Sequence, residues 1–204
     1  MCSSDLYGLV ARLFYAPPDE GLLGTILHAE AFAEAGGELA LAWRELVDSS
    51  RRAFPVVIEN EHTCNVATSG EIAGFLGSLG DPSVRALWDP CNAYWSGEKD
   101  APGAGYERVR PYISHVHVKD AVPTADGGHS ATVLGEGEVG VARQLEALRR
   151  DAYEGFVSLE THYRVHAALD DELVKRPGGS AFSAGGEEGT RRCLVAWNAM
   201  NLHA

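Results

Sequence analysis

Three short apolar runs in this chain end in a carboxylate, and a fourth stretch carries imidazoles. Val56-Val57-Ile58 runs into Glu59, Ala86-Leu87-Trp88 into Asp89, and Phe156-Val157-Ser158-Leu159 into Glu160. Between them, Pro111 to Asp120 places His115, His117 and Lys119 at every second position. Read as a strand, that stretch sends these three side chains to one face and Ser114, Val116 and Val118 to the other. A face with two imidazoles and an ammonium is not ordinary core. Glu, Asp, His and Glu delivered from four strands is the arrangement in which an α/β barrel builds a metal site. Three carboxylates and an imidazole form a hard, oxygen-rich set, which predicts Mn²⁺ or Mg²⁺, with Co²⁺ or Zn²⁺ as alternatives. Such an ion polarises a substrate carbonyl and the neighbouring hydroxyl. The proton on the carbon between them becomes acidic, and the resulting enediolate can be reprotonated at the other carbon or from the other face. His115 and Lys119 are the candidates for binding substrate oxygens or phosphate.

The elements that must hold these residues follow from pattern and punctuation. Helical spacing of apolar residues predicts helices over 4–15, 18–35 and 38–50, stopped by Pro17-Pro18 and Gly36-Gly37. From Phe54 the pattern becomes strand, loop, helix, repeated, as in parallel β/α units. Strands are expected over 55–59, 85–89, 111–120 and 156–160. Thr68-Ser-Gly-Glu71 has the form of a capping box for a helix reaching Leu79, with Gly80 beyond it. Further helices are expected around 105–110, 139–151 and 187–201, and polar, glycine-rich loops over 121–138 and 177–186. Gly135-Glu136-Gly137 reads as a tight turn. The shift in pattern divides the chain into a helical segment, 1–52, and a β/α segment, 53–204.

Composition sets the class. The chain has 204 residues, is 45% hydrophobic and carries a net charge of −12. It is long enough to bury a core, and its acidity argues against a nucleic-acid backbone as the main partner. Cys2, Cys64, Cys91 and Cys193 show no CxxC or zinc-type spacing, and no apolar run is long enough for a membrane span. These features predict a reduced, cytoplasmic protein without a membrane partner. His62, His129, His162 and His166 fall in expected loops and read as rim or surface residues, while Glu61 could share the face of Glu59.

Val-Val-Ile-Glu-Asn-Glu-His, Trp-Asp-Pro-Cys-Asn-Ala-Tyr, His-Val-His-Val-Lys-Asp and Val-Ser-Leu-Glu-Thr together resemble the xylose isomerase-like TIM-barrel superfamily. That superfamily includes sugar and sugar-phosphate isomerases and epimerases, inosose dehydratases and an abasic-site endonuclease branch. The resemblance covers residues 54–204 and implies metal ligation by Glu59, Asp89, His117 and Glu160. His117 is preferred to His115 because the family's ligand directly precedes the tail matched here by Val118-Lys119-Asp120. The resemblance further implies that Glu59 and Glu160 exchange the substrate proton as acid and base. Asn92 stands where the family often has histidine, and joins His115 and Lys119 as a substrate-binding candidate. The opening, Leu-Tyr-Gly-Leu-Val-Ala-Arg-Leu-Phe-Tyr-Ala-Pro-Pro-Asp-Glu-Gly-Leu-Leu, resembles TorD-like chaperones of molybdoenzymes. No chaperone residue is carried over.

A full barrel takes eight strands and about 250 residues, and four strands are expected here. The fold implied is a half TIM barrel of four parallel β/α units behind a helical N-terminal segment. An open parallel sheet exposes two edges, so a homo-oligomer or a marginally stable monomer is expected. The function implied is a metal-dependent sugar or sugar-phosphate isomerase or epimerase. The alternatives are a helical partner-binding protein with an inert barrel remnant, and an abasic-site endonuclease.

Overall fold

The computed structural model describes residues 56–64, 66–165 and 185–201. The helices expected over 4–50, the segment boundary near 52, most of the 177–186 loop and His166 lie outside these residues.

The described chain begins with strand β1 (Val56–Glu59), helix α1 (Ser69–Leu79), strand β2 (Val84–Trp88) and helix α2 (Pro90–Trp95). A π-helical turn (Ala101–Gly105), the short helix α3 (Tyr106–Val109) and a 3-10 turn (Arg110–Tyr112) lead into β3 (Ile113–Val118). Strands β4 (Asp120–Pro123) and β5 (His129–Thr132) follow, then α4 (Val141–Arg150), β6 (Phe156–Leu159) and α5 (Gly186–Asn201). Strands β1, β2, β3 and β6 form one sheet in that order, and every pairing in it is parallel. This is the parallel β/α arrangement that the alternation of elements predicts, and it is consistent with the partial TIM barrel that the family resemblance implies.

Helix α1 starts where the sequence places it. Thr68 Oγ1 accepts from the Glu71 backbone N–H, the Glu71 carboxylate accepts from the Thr68 N–H, and Gly80 closes the helix at φ 62°. That reciprocal cap satisfies two N–H groups that a helix start otherwise leaves without partners. Ile72, Phe75, Leu76 and Leu79 then face the sheet, where Ile58, Val84, Ala86, Trp88, Val116 and Val118 present a fully buried layer. Residues of opposite parity, including Glu59, Leu87, His115 and His117, share the other face of the sheet.

Two local differences from the sequence reading have physical causes. The stretch expected as loop over 121–138 contains the antiparallel pair β4 and β5, which Pro123 and the polar His-Ser-Ala-Thr run obscure. Asp120 then clamps the following turn: its carboxylate accepts from the backbone N–H groups of Gly135, Gly137 and Val139 at 2.8, 3.0 and 3.2 Å. Gly137 is required there, because an added Cβ would collide with Asp120 Oδ1 and lie 2.5 Å from the Ala121 carbonyl oxygen. Also, His129 lies in strand β5 and not in a loop. Among the described residues no helix is long and apolar enough to cross a membrane.

Candidate metal centre

Parity and register bring the four strand ends to one point. Leu87 pairs with His115, and His117 pairs with Ser158. Continuing each strand by two residues sets Asp89 level with His117 and Glu160 level with Lys119, all on the face of Glu59. One ligand atom from each of Glu59, Asp89, His117 and Glu160 lies within 4.8 Å of the other three. Two ligands on opposite sides of an ion, each about 2.0–2.6 Å from it, stand about 4–5 Å apart. The spacing of these donor atoms therefore suits a single divalent cation.

Local structure fixes each donor. Asp89 caps helix α2: its Oδ1 accepts from the N–H groups of Cys91 and Asn92 at 2.8 and 2.9 Å, with Pro90 as the first helical residue. Its Oδ2 accepts from Lys119 Nζ at 2.7 Å. Lys119, 2% exposed, also donates to Glu160 Oε2 and lies 5.4 Å from the Trp95 ring centroid. His117 directs Nδ1 to Glu59 Oε1 at 3.1 Å and stands 3.6 Å from Glu160 Oε2. His115 is half-buried, with Nε2 2.7 Å from Ser158 Oγ and its ring edge-on to His117.

Two asparagines support this layer. Asn60 Nδ2 donates to the Asp89 and Ala67 carbonyl oxygens at 2.8 and 3.0 Å, and Asn60 Oδ1 accepts from the Asp89 N–H at 2.8 Å. Asn92 is fully buried, and its Nδ2 reaches the Asn60 carbonyl oxygen at 2.9 Å, Glu61 Oε2 at 3.2 Å and Glu59 Oε1 at 3.4 Å. Of the three residues expected to meet substrate, His115 keeps an accessible side chain. Lys119 and Asn92 are instead enclosed by protein partners.

The charges respond to this crowding. Burial pushes Glu59 up to about 6, the His117 hydrogen bond acting against it. Glu160 is also buried, but the Lys119 ammonium and His117 hold it well below the usual carboxylate range. Asp89, completely buried, is raised by desolvation against the pull of Lys119. Burial alone would lower His117, yet the Glu160 and Glu59 carboxylates raise it to about 10. Desolvation and the neighbouring imidazolium lower His115.

Residues that read as rim or surface in the sequence join the site. His62 Nδ1 is 2.6 Å from Glu61 Oε1 and 3.2 Å from Asn92 Oδ1. Its ring meets Trp95 edge-on, and Trp95 stacks on His162. Glu61, held near 2 chiefly by the His62 hydrogen bond and Lys119 against desolvation, points to His62 and Asn92. No periodic signal marks Trp95 or Asn60 as site residues, since each follows the strand-end position by a turn or a single step.

No curated protein matches the sequence. The D-psicose 3-epimerase of Clostridium cellulolyticum, solved with D-tagatose, is 17% identical with a TM-score of 0.58, covering 81% of this chain and 55% of its own. A xylose isomerase-like TIM barrel protein of Mycobacterium smegmatis in complex with magnesium is 18% identical with a TM-score of 0.53, covering 82% and 52%. The IOLI protein with a bound zinc atom is 15% identical with a TM-score of 0.53, covering 79% and 54%. This chain thus spans about half the length of the solved structures it resembles. The xylose isomerase-like TIM barrel family matches residues 23–180, beginning within the helical segment read from the sequence. With more than half of the sequence matched and the parallel sheet in place, the chain belongs to the xylose isomerase-like TIM barrel family.

Proposed function

We propose that this protein is a divalent-metal-dependent isomerase or epimerase of a small sugar or sugar phosphate, holding its ion with Glu59, Asp89, His117 and Glu160. The observation that carries this reading is the convergence of those four ligand atoms within 4.8 Å. When bound, Mn²⁺ or Mg²⁺ would polarise a substrate carbonyl and its neighbouring hydroxyl; the same set also admits Co²⁺ or Zn²⁺.

The protein's own groups supply the proton transfer. Glu160, kept ionised by Lys119 and His117, is the base that takes the proton from the carbon beside the carbonyl. The electron pair left behind passes to the carbonyl oxygen. Glu59, across the site from Glu160, is the partner that returns a proton from the other side. His115, beside Ser158 on the open part of this face, is placed to hydrogen-bond a substrate oxygen. Lys119 and Asn92 would serve substrate indirectly, by positioning the carboxylates beneath it.

Metal analysis of the purified protein, followed by incubation of ketoses and their phosphates in D₂O, tests the reading. The expected result is about one divalent ion per chain and deuterium at the carbon next to the carbonyl in at least one substrate. Absence of both bound metal and exchange would overturn it. Edge strands β1 and β6 each have one strand neighbour among the described residues, and pairing of two copies would cover them. Sedimentation at several concentrations tests that assembly, and a monomer throughout removes it.

A further inference from the structure

Among the described residues, Lys119 is the one buried Lys or Arg. Its side chain is 2% exposed, and its ammonium bridges Asp89 and Glu160, two of the four converging donors. The side on which Asp89 can accept a further cation is fixed by its capping role. Oδ1 is occupied by two backbone N–H groups at 2.8 and 2.9 Å, so only Oδ2 faces the other donors, and Oδ2 already accepts from Lys119. A metal ion held by Asp89 must share that oxygen with the ammonium or displace it. Glu160 meets the same condition at Oε2.

We propose that Lys119 is a positioning residue that acts as the internal counter-cation of the metal centre, holding Asp89 and Glu160 in place and competing with the metal for their oxygens. This rests on the metal-site reading given above. Three carboxylates crowded into one buried layer repel one another, and taking them out of water is costly unless a cation is close. With Lys119 present, the metal-free sheet keeps its strand ends together. The ammonium also sets an upper limit on affinity, because part of the attraction offered to a divalent ion is already engaged. Trp95, with its ring centroid 5.4 Å from Nζ, is a third and neutral partner of the ammonium.

The experiment compares melting temperatures with and without saturating Mn²⁺, together with Mn²⁺ titration calorimetry, for wild type, Lys119→Met and Lys119→Arg. For Lys119→Met the metal-free protein should melt about 10 °C lower than wild type, from the cost of breaking a buried ion pair in a chain of this size. The Mn²⁺-loaded protein should fall much less, and Mn²⁺ should bind about tenfold more tightly. Lys119→Arg, which keeps the charge, should leave the gap between loaded and free forms near the wild-type value. A Lys119→Met chain that folds only with Mn²⁺ is the extreme form of the expected result. If both melting temperatures fall together, or the chain stays unfolded with Mn²⁺, Lys119 is a structural lysine and the proposal is overturned while the metal site stands. If wild type itself shows neither binding heat nor a melting shift with Mn²⁺, Mg²⁺, Co²⁺ or Zn²⁺, the metal centre falls and this role falls with it.

Discussion

Asn60 and Asp89 exchange two hydrogen bonds of 2.8 Å across the ends of strands β1 and β2, the side-chain amide of one pairing with the backbone of the other. This pairing continues the sheet by one rung where regular backbone pairing stops, and it fixes Glu59 relative to Asp89. Asn60→Ala should therefore cost about 2–3 kcal/mol of stability, since it leaves buried backbone groups without partners. It should also weaken metal binding about 10–100-fold, as is usual when a group supporting a ligand is lost. Chemical denaturation and metal titration measure the two effects. A stability loss with unchanged metal affinity would mean that the rung holds the fold and not the site.

Removing a donor should differ from removing a substrate contact. Glu160→Gln is expected to lose detectable metal binding and turnover together, while His115→Ala keeps the metal and raises KM about tenfold, the value of one hydrogen bond. Metal analysis beside steady-state kinetics separates the two. Loss of metal from His115→Ala would exchange the assignments of the two histidines.

The charge state of the layer predicts that the stability of the metal-free protein and its affinity for metal change with pH in opposite directions. In the metal-free protein His117 is raised from 6.5 to about 10, and Glu59 from 4.5 to about 6. Each raised group contributes stability present below its unfolded pKa and lost as pH climbs through its folded value. The melting temperature of the metal-free protein should therefore drift down between about pH 4.5 and 10, most steeply above 6.5. Metal binding requires neutral imidazole and releases that proton, so affinity should rise about tenfold per pH unit below 10. Metal titrations in buffers of different ionisation enthalpy count the proton released, and a count near zero would rule out the His117 contribution.

The turn clamped by Asp120 offers a test away from the site. Gly137→Ala introduces a Cβ against Asp120 Oδ1 and the Ala121 carbonyl, which must open the clamp. A loss of about 2 kcal/mol is expected, or about 4–8 °C in Tm for a chain of this length. Thermal melting checks it, and an unchanged Tm would show that the turn tolerates rearrangement.

What could be read from the sequence depended on how local its cause was. The cap at Thr68 and Glu71 is written within four residues, and the alternation of His115, His117 and Lys119 within five, so both emerge from pattern alone. The rule that strand ends share one rim of a parallel sheet places Glu59, Asp89 and Glu160 together, while the choice of His117 over His115 rests on the family resemblance of the Val118-Lys119-Asp120 tail. Asn60 escaped because its partners are 7 and 29 positions away and its own neighbourhood looks like loop. The burial of Lys119 escaped for a similar reason. Nothing in Val-Lys-Asp shows that the side chain will be enclosed by carboxylates from β2 and β6. Strands β4 and β5 were hidden by weak strand formers at 129–132.

The parallel order of β1, β2, β3 and β6 also bears on how the chain reaches its final state. Each parallel pair needs a crossover, so the four donors, spread from residue 59 to residue 160, share no local contact that forms early. The layer is complete only when all four strands are in place, and long-range pairings of this kind make folding slow. A divalent ion that recognises only the finished layer, and not the transition state, would leave the refolding rate nearly unchanged and slow unfolding. Metal would act as a latch on the folded state, lengthening its lifetime without shortening the time needed to reach it.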